Sequence, residues 1–170
     1  MENKESPMTT REAVIADAEE IARIYNEGIE DRVATFETRF RSAADIGKWF
    51  AGGHPAVVVE DDGRIVGFAA TSEYRPRDCY AGIAEVSLYV ERASRRRGAG
   101  RVAMLALIEE AGKAGFWKLV SRVFVENRAS RALVATLGFR EVGIYEKHGK
   151  LDGTWRDVVI VERLIPENLS

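Results

Sequence analysis

The run Arg95-Arg96-Arg97-Gly98-Ala99-Gly100-Arg101 carries the residue types of an anion site. Glycines let an oxyanion approach the backbone closely, and the unpaired N–H groups and dipole at a helix start favour negative charge. Arginines beside them add positive charge for the same ligand. Two further patterns could do chemistry. Glu85 is a carboxylate in a β-rich stretch that ends just before this run, the type of group that accepts a proton in general-base catalysis. Arg75 and Arg77 sit in a Pro-containing loop before Glu85, and a planar guanidinium suits a two-point grip on a carboxylate, phosphinate or arsinate. Each has a plainer reading: a glycine-permitted turn beside a solvated cluster, an ion-paired strand carboxylate, and two solvated loop arginines.

The anion could belong to several ligands. A nucleoside-triphosphate loop would need Gly-Lys-Ser/Thr, which does not follow Gly100, and a dinucleotide fingerprint would need a third glycine. The pyrophosphate of an acyl-CoA remains. His54, His148 and Cys79 lie at no metal-ligand spacing, so no metal is expected.

These residues need a scaffold. Ala18, Ile21, Ala22, Tyr25 and Ile29 recur at helical spacing after a short strand at residues 11–15, with Asp17 placed as an N-cap. Residues 33–39 are β-branched and aromatic. Ser42 and Asp45 have capping-box spacing for a second helix reaching Phe50. Residues 56–60 and 64–72 flank Asp61-Asp62-Gly63 and predict a hairpin, because Asp-Gly suits the positive φ of a tight turn. A strand over 80–90 then leads through the glycine turn into a helix ending near Gly115. Residues 119–125 predict a strand, Asn127 opens a short helix that Gly138 ends, and residues 141–147 and 154–163 predict two closing strands.

Composition bounds the class. The chain has 170 residues, 46% of them hydrophobic, enough for one domain with its own core. A single cysteine excludes an internal disulfide, and no run approaches the ~18 apolar residues of a membrane span. A cytoplasmic protein is expected. Net charge of -2 argues against a general nucleic-acid surface. Residues 1–8 read as a disordered leader and 9–170 as the domain.

Arg95-x-x-Gly98-x-Gly100, preceded by Val86-Ser87-Leu88-Tyr89-Val90, resembles the Q/R-x-x-G-x-G/A motif and strand of the GNAT superfamily of N-acetyltransferases. Asn127, Ser130, Leu133 and Leu137-Gly138-Phe139 are similar to its second half. Glu85, Gly149-Lys150 and Gly153-Thr154-Trp155-Arg156-Asp157 resemble the phosphinothricin N-acetyltransferase branch. Ile24-Tyr25-Asn26-x-Gly28-Ile29 and Ala34-Thr35-Phe36-Glu37-Thr38 resemble its arsinothricin-resistance members.

The resemblance implies an α/β GNAT fold: a mixed sheet of about seven strands, about four helices, and a splayed pair of central strands. It implies acetyl-CoA as co-substrate, held by Leu88, Tyr89, Val90, residues 95–101, Asn127 and Ser130. Glu85 would be the base. Phe36, Thr38, Arg75, Arg77 and Glu85 would meet a small glutamate-like or methionine-like amino-acid analogue, and a homodimer is implied. Relatives carry a Tyr or His general acid where this chain has Val134. A thiol of pKa ~8.5 leaves readily as thiolate, so the step needs little help or borrows Tyr89. A protein N-acetyltransferase and a non-catalytic acyl-CoA sensor are the alternative readings.

Overall fold

Two runs of buried apolar residues on either side of Asp61-Asp62-Gly63 close residues 56–73 into a hairpin in the computed structural model, which describes residues 7–170. Strands β1 (Thr9–Glu12), β2 (Ala56–Asp61), β3 (Arg64–Glu73), β4 (Ile83–Val90), β5 (Lys118–Phe124), β6 (Arg140–Leu151) and β7 (Thr154–Leu164) form one sheet of order β1-β2-β3-β4-β5-β7-β6. Every neighbouring pair is antiparallel except β4 and β5. Asp62 (φ 49°) and Gly63 (φ 77°) turn the β2–β3 hairpin, as the Asp-Gly signal predicts.

Helices cover both faces. Helix α3 (Ala99–Lys113) and helix α4 (Arg128–Thr136) bury Ala103, Met104, Leu107 and Val134 against Val57, Val86 and Val159. On the other face, α1 (Ala18–Asp31) and the short α2 (Ala43–Gly47) bury Ile21, Ile24 and Ile46 against Val58 and Phe68. Ile24, Ile46 and Phe68 are fully buried, each stabilising the fold by about 1.5–3 kcal/mol relative to exposure. Ser42 and Asp45 form the predicted capping box, with Asp45 N–H donating to Ser42 Oγ at 3.2 Å and Ser42 N–H to Asp45 Oδ2 at 2.9 Å.

Several details differ from the sequence reading, among them the second helix, which ends at Gly47 and continues to Ala51 as a 3-10 turn. The first strand is Thr9–Glu12, two residues earlier than expected, because pairing with β2 fixes its register. Asp17 does not cap α1 with its side chain; its carboxylate accepts the Val14 N–H at 2.8 Å and pairs with Arg11. That Arg11 hydrogen bond holds the Asp17 carboxyl below the usual carboxylate range in spite of burial. The central strand starts at Ile83, since residues 78–80 close a 3-10 turn. β6 is longer than expected at both ends and is irregular between Tyr145 and Gly149, where Lys147 has φ 48°. Of the expected leader, residues 1–6 lie outside the described residues, and Met8 packs on the α3 side of the core.

Candidate active site

β4 and β5 pair only at Ile83↔Lys118, Ala84↔Leu119 and Glu85↔Val120, although β4 runs on to Val90 and β5 to Phe124. Past Glu85 the two strands diverge. The Ser121 hydroxyl donates to the Val86 carbonyl at 3.0 Å inside the gap. Leu88, Tyr89, Met104, Asn127, Ser130, Leu133 and Val134 line a narrow cleft of about 90 Å³ there.

A roomier cavity of about 280 Å³ adjoins it on the α1 face, sharing Ser87, Tyr89, Ser121 and Arg122 with the cleft. Glu85, Ser87 and Tyr89 alternate onto that face of β4, as strand geometry requires. Arg122 and Phe124 come from β5, and Thr35, Phe36 and Glu37 from the loop at 32–41. This loop is tied at both ends. Asn26 exchanges two hydrogen bonds with the Arg41 backbone at 2.8 and 2.9 Å, and Arg32 pairs with Asp152 at 3.0 Å. Between those ties the Phe36 ring meets Phe124 edge-on at 4.8 Å and lies over Gly149, where a Cβ would come within 2.8 Å of it.

Glu85 Oε1 accepts from Arg122 Nη2 at 2.5 Å, a charge-assisted hydrogen bond. Tyr89 stacks on Phe68 and meets Tyr25 edge-on at 4.8 Å. Burial, reinforced by Tyr25, raises the Tyr89 phenol pKa well above its ordinary value. Burial first and Glu37 second raise Tyr25 too. Both phenols are therefore protonated at neutral pH.

At the far end of β4, Gly98 caps α3 with φ 90° and open space around its missing Cβ. The first helical hydrogen bond from Val102 reaches Gly98 O at 3.2 Å, so the N–H groups before it have no helical partner. The turn is braced by buried Glu91, which accepts from Ser94 Oγ at 2.8 Å and pairs with Arg64 at 2.6 Å and Arg23 at 3.1 Å.

A glycine turn at a helix start, abutting two diverging parallel strands, is the arrangement of an acyl-CoA site. The model of the acetyltransferase (GNAT) family matches residues 18–139. The chain belongs to that family. It is 31% identical over 157 residues to the L-methionine sulfoximine/L-methionine sulfone acetyltransferase of Pseudomonas aeruginosa, covering 89% of this chain and 91% of the relative. Among solved structures it superposes with TM-score 0.87 and 30% identity on a GNAT superfamily phosphinothricin acetyltransferase from Sinorhizobium meliloti in complex with AcCoA, covering 94% and 89% of the two chains. It also superposes with TM-score 0.88 and 29% identity on a ribosomal-protein-alanine N-acetyltransferase from Brucella melitensis, covering 92% and 99%. This GNAT chain is thus an N-acetyltransferase that uses acetyl-CoA.

The residues fit that co-substrate. The backbone from Arg97 to Arg101 presents N–H groups at the start of α3, the donors a pyrophosphate would need, and Leu88, Tyr89, Asn127 and Ser130 line the cleft. Asn127 is also the α4 cap, its Oδ1 accepting the Ser130 N–H at 3.2 Å. Several placements differ from expectation. Val90 is outside the cleft lining, and its carbonyl accepts from Arg95 Nε at 3.0 Å. Arg95 also pairs with Asp31 at 2.7 Å, so its charge braces the turn against α1. Arg97 pairs with Asp61 at 3.0 Å, Arg101 donates to Thr136 Oγ1 at 3.2 Å, and Arg96 is exposed with φ 63°.

On the acceptor side, Phe36 and Glu85 line the cavity, but Thr38, Arg75 and Arg77 do not. Thr38 is exposed past the inward-facing Thr35–Glu37 stretch. The guanidinium groups of Arg75 and Arg77 lie 5.2 and 5.7 Å from the rings of Tyr74 and Tyr80, which keeps them on the outer surface. Sequence reading missed Arg122; its signal is a lone charge in the apolar stretch 119–125. Among the described residues no cluster of His, Cys, Asp or Glu could hold a metal, and no helix is long and apolar enough to cross a membrane.

Proposed function

We propose that this acetyltransferase moves the acetyl group of acetyl-CoA onto the α-amino group of a small glutamate-like or methionine-like amino-acid analogue of the phosphinothricin, arsinothricin or methionine sulfoximine class. The observation that carries this reading is the cavity of about 280 Å³, walled by Phe36, Phe124 and Tyr25 and charged by Glu85 and Arg122, which opens into the β4–β5 gap. Its size suits a small molecule, and the names of the relatives point to the same class.

Acetyl-CoA supplies an activated thioester. An amine attacks it only when deprotonated, whereas an α-ammonium is largely protonated at neutral pH. Glu85 takes that proton, directly or through a water, and the new C–N bond forms as the C–S bond breaks and the sulfur leaves as thiolate. Backbone N–H groups left unpaired where β4 leaves β5 polarise the acetyl carbonyl. Tyr89 offers a protonated hydroxyl beside the departing sulfur, where Val134 offers none. Because a thiol has pKa ~8.5, that donation adds little to the rate.

Arg75 and Arg77 stand outside the lining. The same reading includes a resistance role, a cytoplasmic setting and a homodimer. Exposed Val142, Ile144 and Tyr145 on the outer strand β6 support the last of these. One observation favours a second reading, acetylation of a protein N-terminus: the similarity to a ribosomal-protein-alanine N-acetyltransferase.

The test is release of CoA thiol from acetyl-CoA with phosphinothricin, arsinothricin, L-methionine sulfoximine, glutamate or an alanine-initiated peptide as acceptor. Turnover on one of the first three is the expected result. Turnover on the peptide alone would replace this reading with the second.

A further inference from the structure

The geometry points to Arg122 as the group that reads the substrate's α-carboxylate, while Glu85 beside it receives the α-ammonium. This rests on the amino-acid reading above and sharpens it. Among the described residues Arg122 is the one cation in the cavity lining, which otherwise holds Glu37 and Glu85 as its charged groups. It projects from β5 on the same face as Phe124, the ring that floors the cavity. Its side chain is 49% exposed and that of Glu85 23%, so the pair is open to a ligand.

Only Nη2 of Arg122 is committed, to Glu85 at 2.5 Å; no other hydrogen bond of this guanidinium is formed among the described residues. A guanidinium has five N–H donors and Glu85 takes one of them, so a carboxylate can bind through Nη1 or through Nε, each beside the second N–H of Nη2, without releasing Glu85. An α-amino acid carries its cation and anion on one carbon. A carboxylate and a guanidinium in direct contact present the complementary charges at the same scale. The zwitterion adds no net charge to the site, and each of its groups meets an opposite one.

The consequence is selectivity. A peptide N-terminus or a simple amine offers its ammonium to Glu85 but an amide or nothing to Arg122. A site built to hydrogen-bond a polar group discriminates against the analogue lacking it, because its own donors stay unsatisfied. Arg122 would thereby separate free amino acids from peptides, a distinction that Arg75 and Arg77 cannot make from outside the lining.

The experiment compares kcat/KM for phosphinothricin and L-methionine sulfone with that for their α-carboxamides, in the wild type, Arg122→Gln and Arg122→Lys. Wild type should favour the free acid roughly 10- to 100-fold, the range of a hydrogen bond to a charged group. Arg122→Gln should lose that preference through a raised KM for the acid. Arg122→Lys keeps a cation for Glu85 but loses the fork, and should fall between them; it also serves if the Gln variant fails to fold. An acid-to-amide ratio unchanged in both variants would overturn the assignment. An equal fall on acid and amide would also overturn it, leaving Arg122 as a positioning residue for Glu85. Wild-type turnover of the acid separates these failures from that of the amino-acid reading. Turnover of neither acid, with a peptide acetylated instead, would bring both down.

Discussion

Glu85 stands at the last paired rung of β4 and β5, opposite Val120, and Arg122 reaches back to it from two residues further along β5, where the strands have parted. In the proposed mechanism that position brings a strand carboxylate within reach of a thioester held between the strands. Tyr89, four residues on, shares the face but has a different part. Its ring is packed on Phe68 and Tyr25, and burial keeps its phenol protonated. Removing that hydroxyl deletes a buried hydrogen-bonding group without changing the ring. Tyr89→Phe should therefore lower kcat less than about tenfold, since a thiolate of pKa ~8.5 leaves with little protonation. A fall of several hundredfold in kcat measured at saturating acetyl-CoA would make Tyr89 the working acid.

At the scale of elements, the β4-turn-α3 unit presents the helix-start N–H groups at a strand end, where the proposed mechanism seats the pyrophosphate. Its geometry depends on Gly98, whose φ of 90° lies where L side chains are strained by about 1–3 kcal/mol. Space is not the limit there, since an added Cβ would meet nothing within 4 Å. The turn is held from outside by Arg95–Asp31, Arg97–Asp61 and the Glu91 network, so strain at Gly98 would be relieved by moving the backbone N–H groups. Gly98→Val should raise the acetyl-CoA KM roughly 5- to 150-fold, the equivalent of about 1–3 kcal/mol of strain, and leave the acceptor KM within about threefold. Titration of both substrates in steady state checks this. An unchanged acetyl-CoA KM would mean that the turn does not hold the pyrophosphate.

Across the whole molecule, what was legible in the sequence followed from local pattern. The Asp-Gly hairpin, the Ser42/Asp45 cap, the Gly98 turn and the Asn127 cap are each set by residues within a few positions of one another. The α/β class and the GNAT resemblance rested on such signals. What was not legible depends on register. Arg122 reaches Glu85 across 37 residues through a parallel pairing of only three rungs, and Arg64 and Arg23 reach Glu91 from separate elements. Arg75 and Arg77 have the right chemistry for an anionic substrate, yet a 3-10 turn and aromatic stacking leave them on the surface. Thr38 is displaced similarly, because the 32–41 loop turns Thr35, Phe36 and Glu37 inward and spends its remaining residues reaching Asn26.

The central claim is that one cavity brings an amino group between Glu85 and the thioester. Its most direct test is kcat/KM for the preferred amino acid in wild type and Glu85→Gln, with acetyl-CoA KM measured alongside. Loss of the proton acceptor should lower kcat/KM by roughly 100- to 10,000-fold, the range of general-base catalysis, and leave acetyl-CoA binding intact. A Glu85→Gln enzyme that acetylates the same amino acid at the wild-type rate would contradict the account.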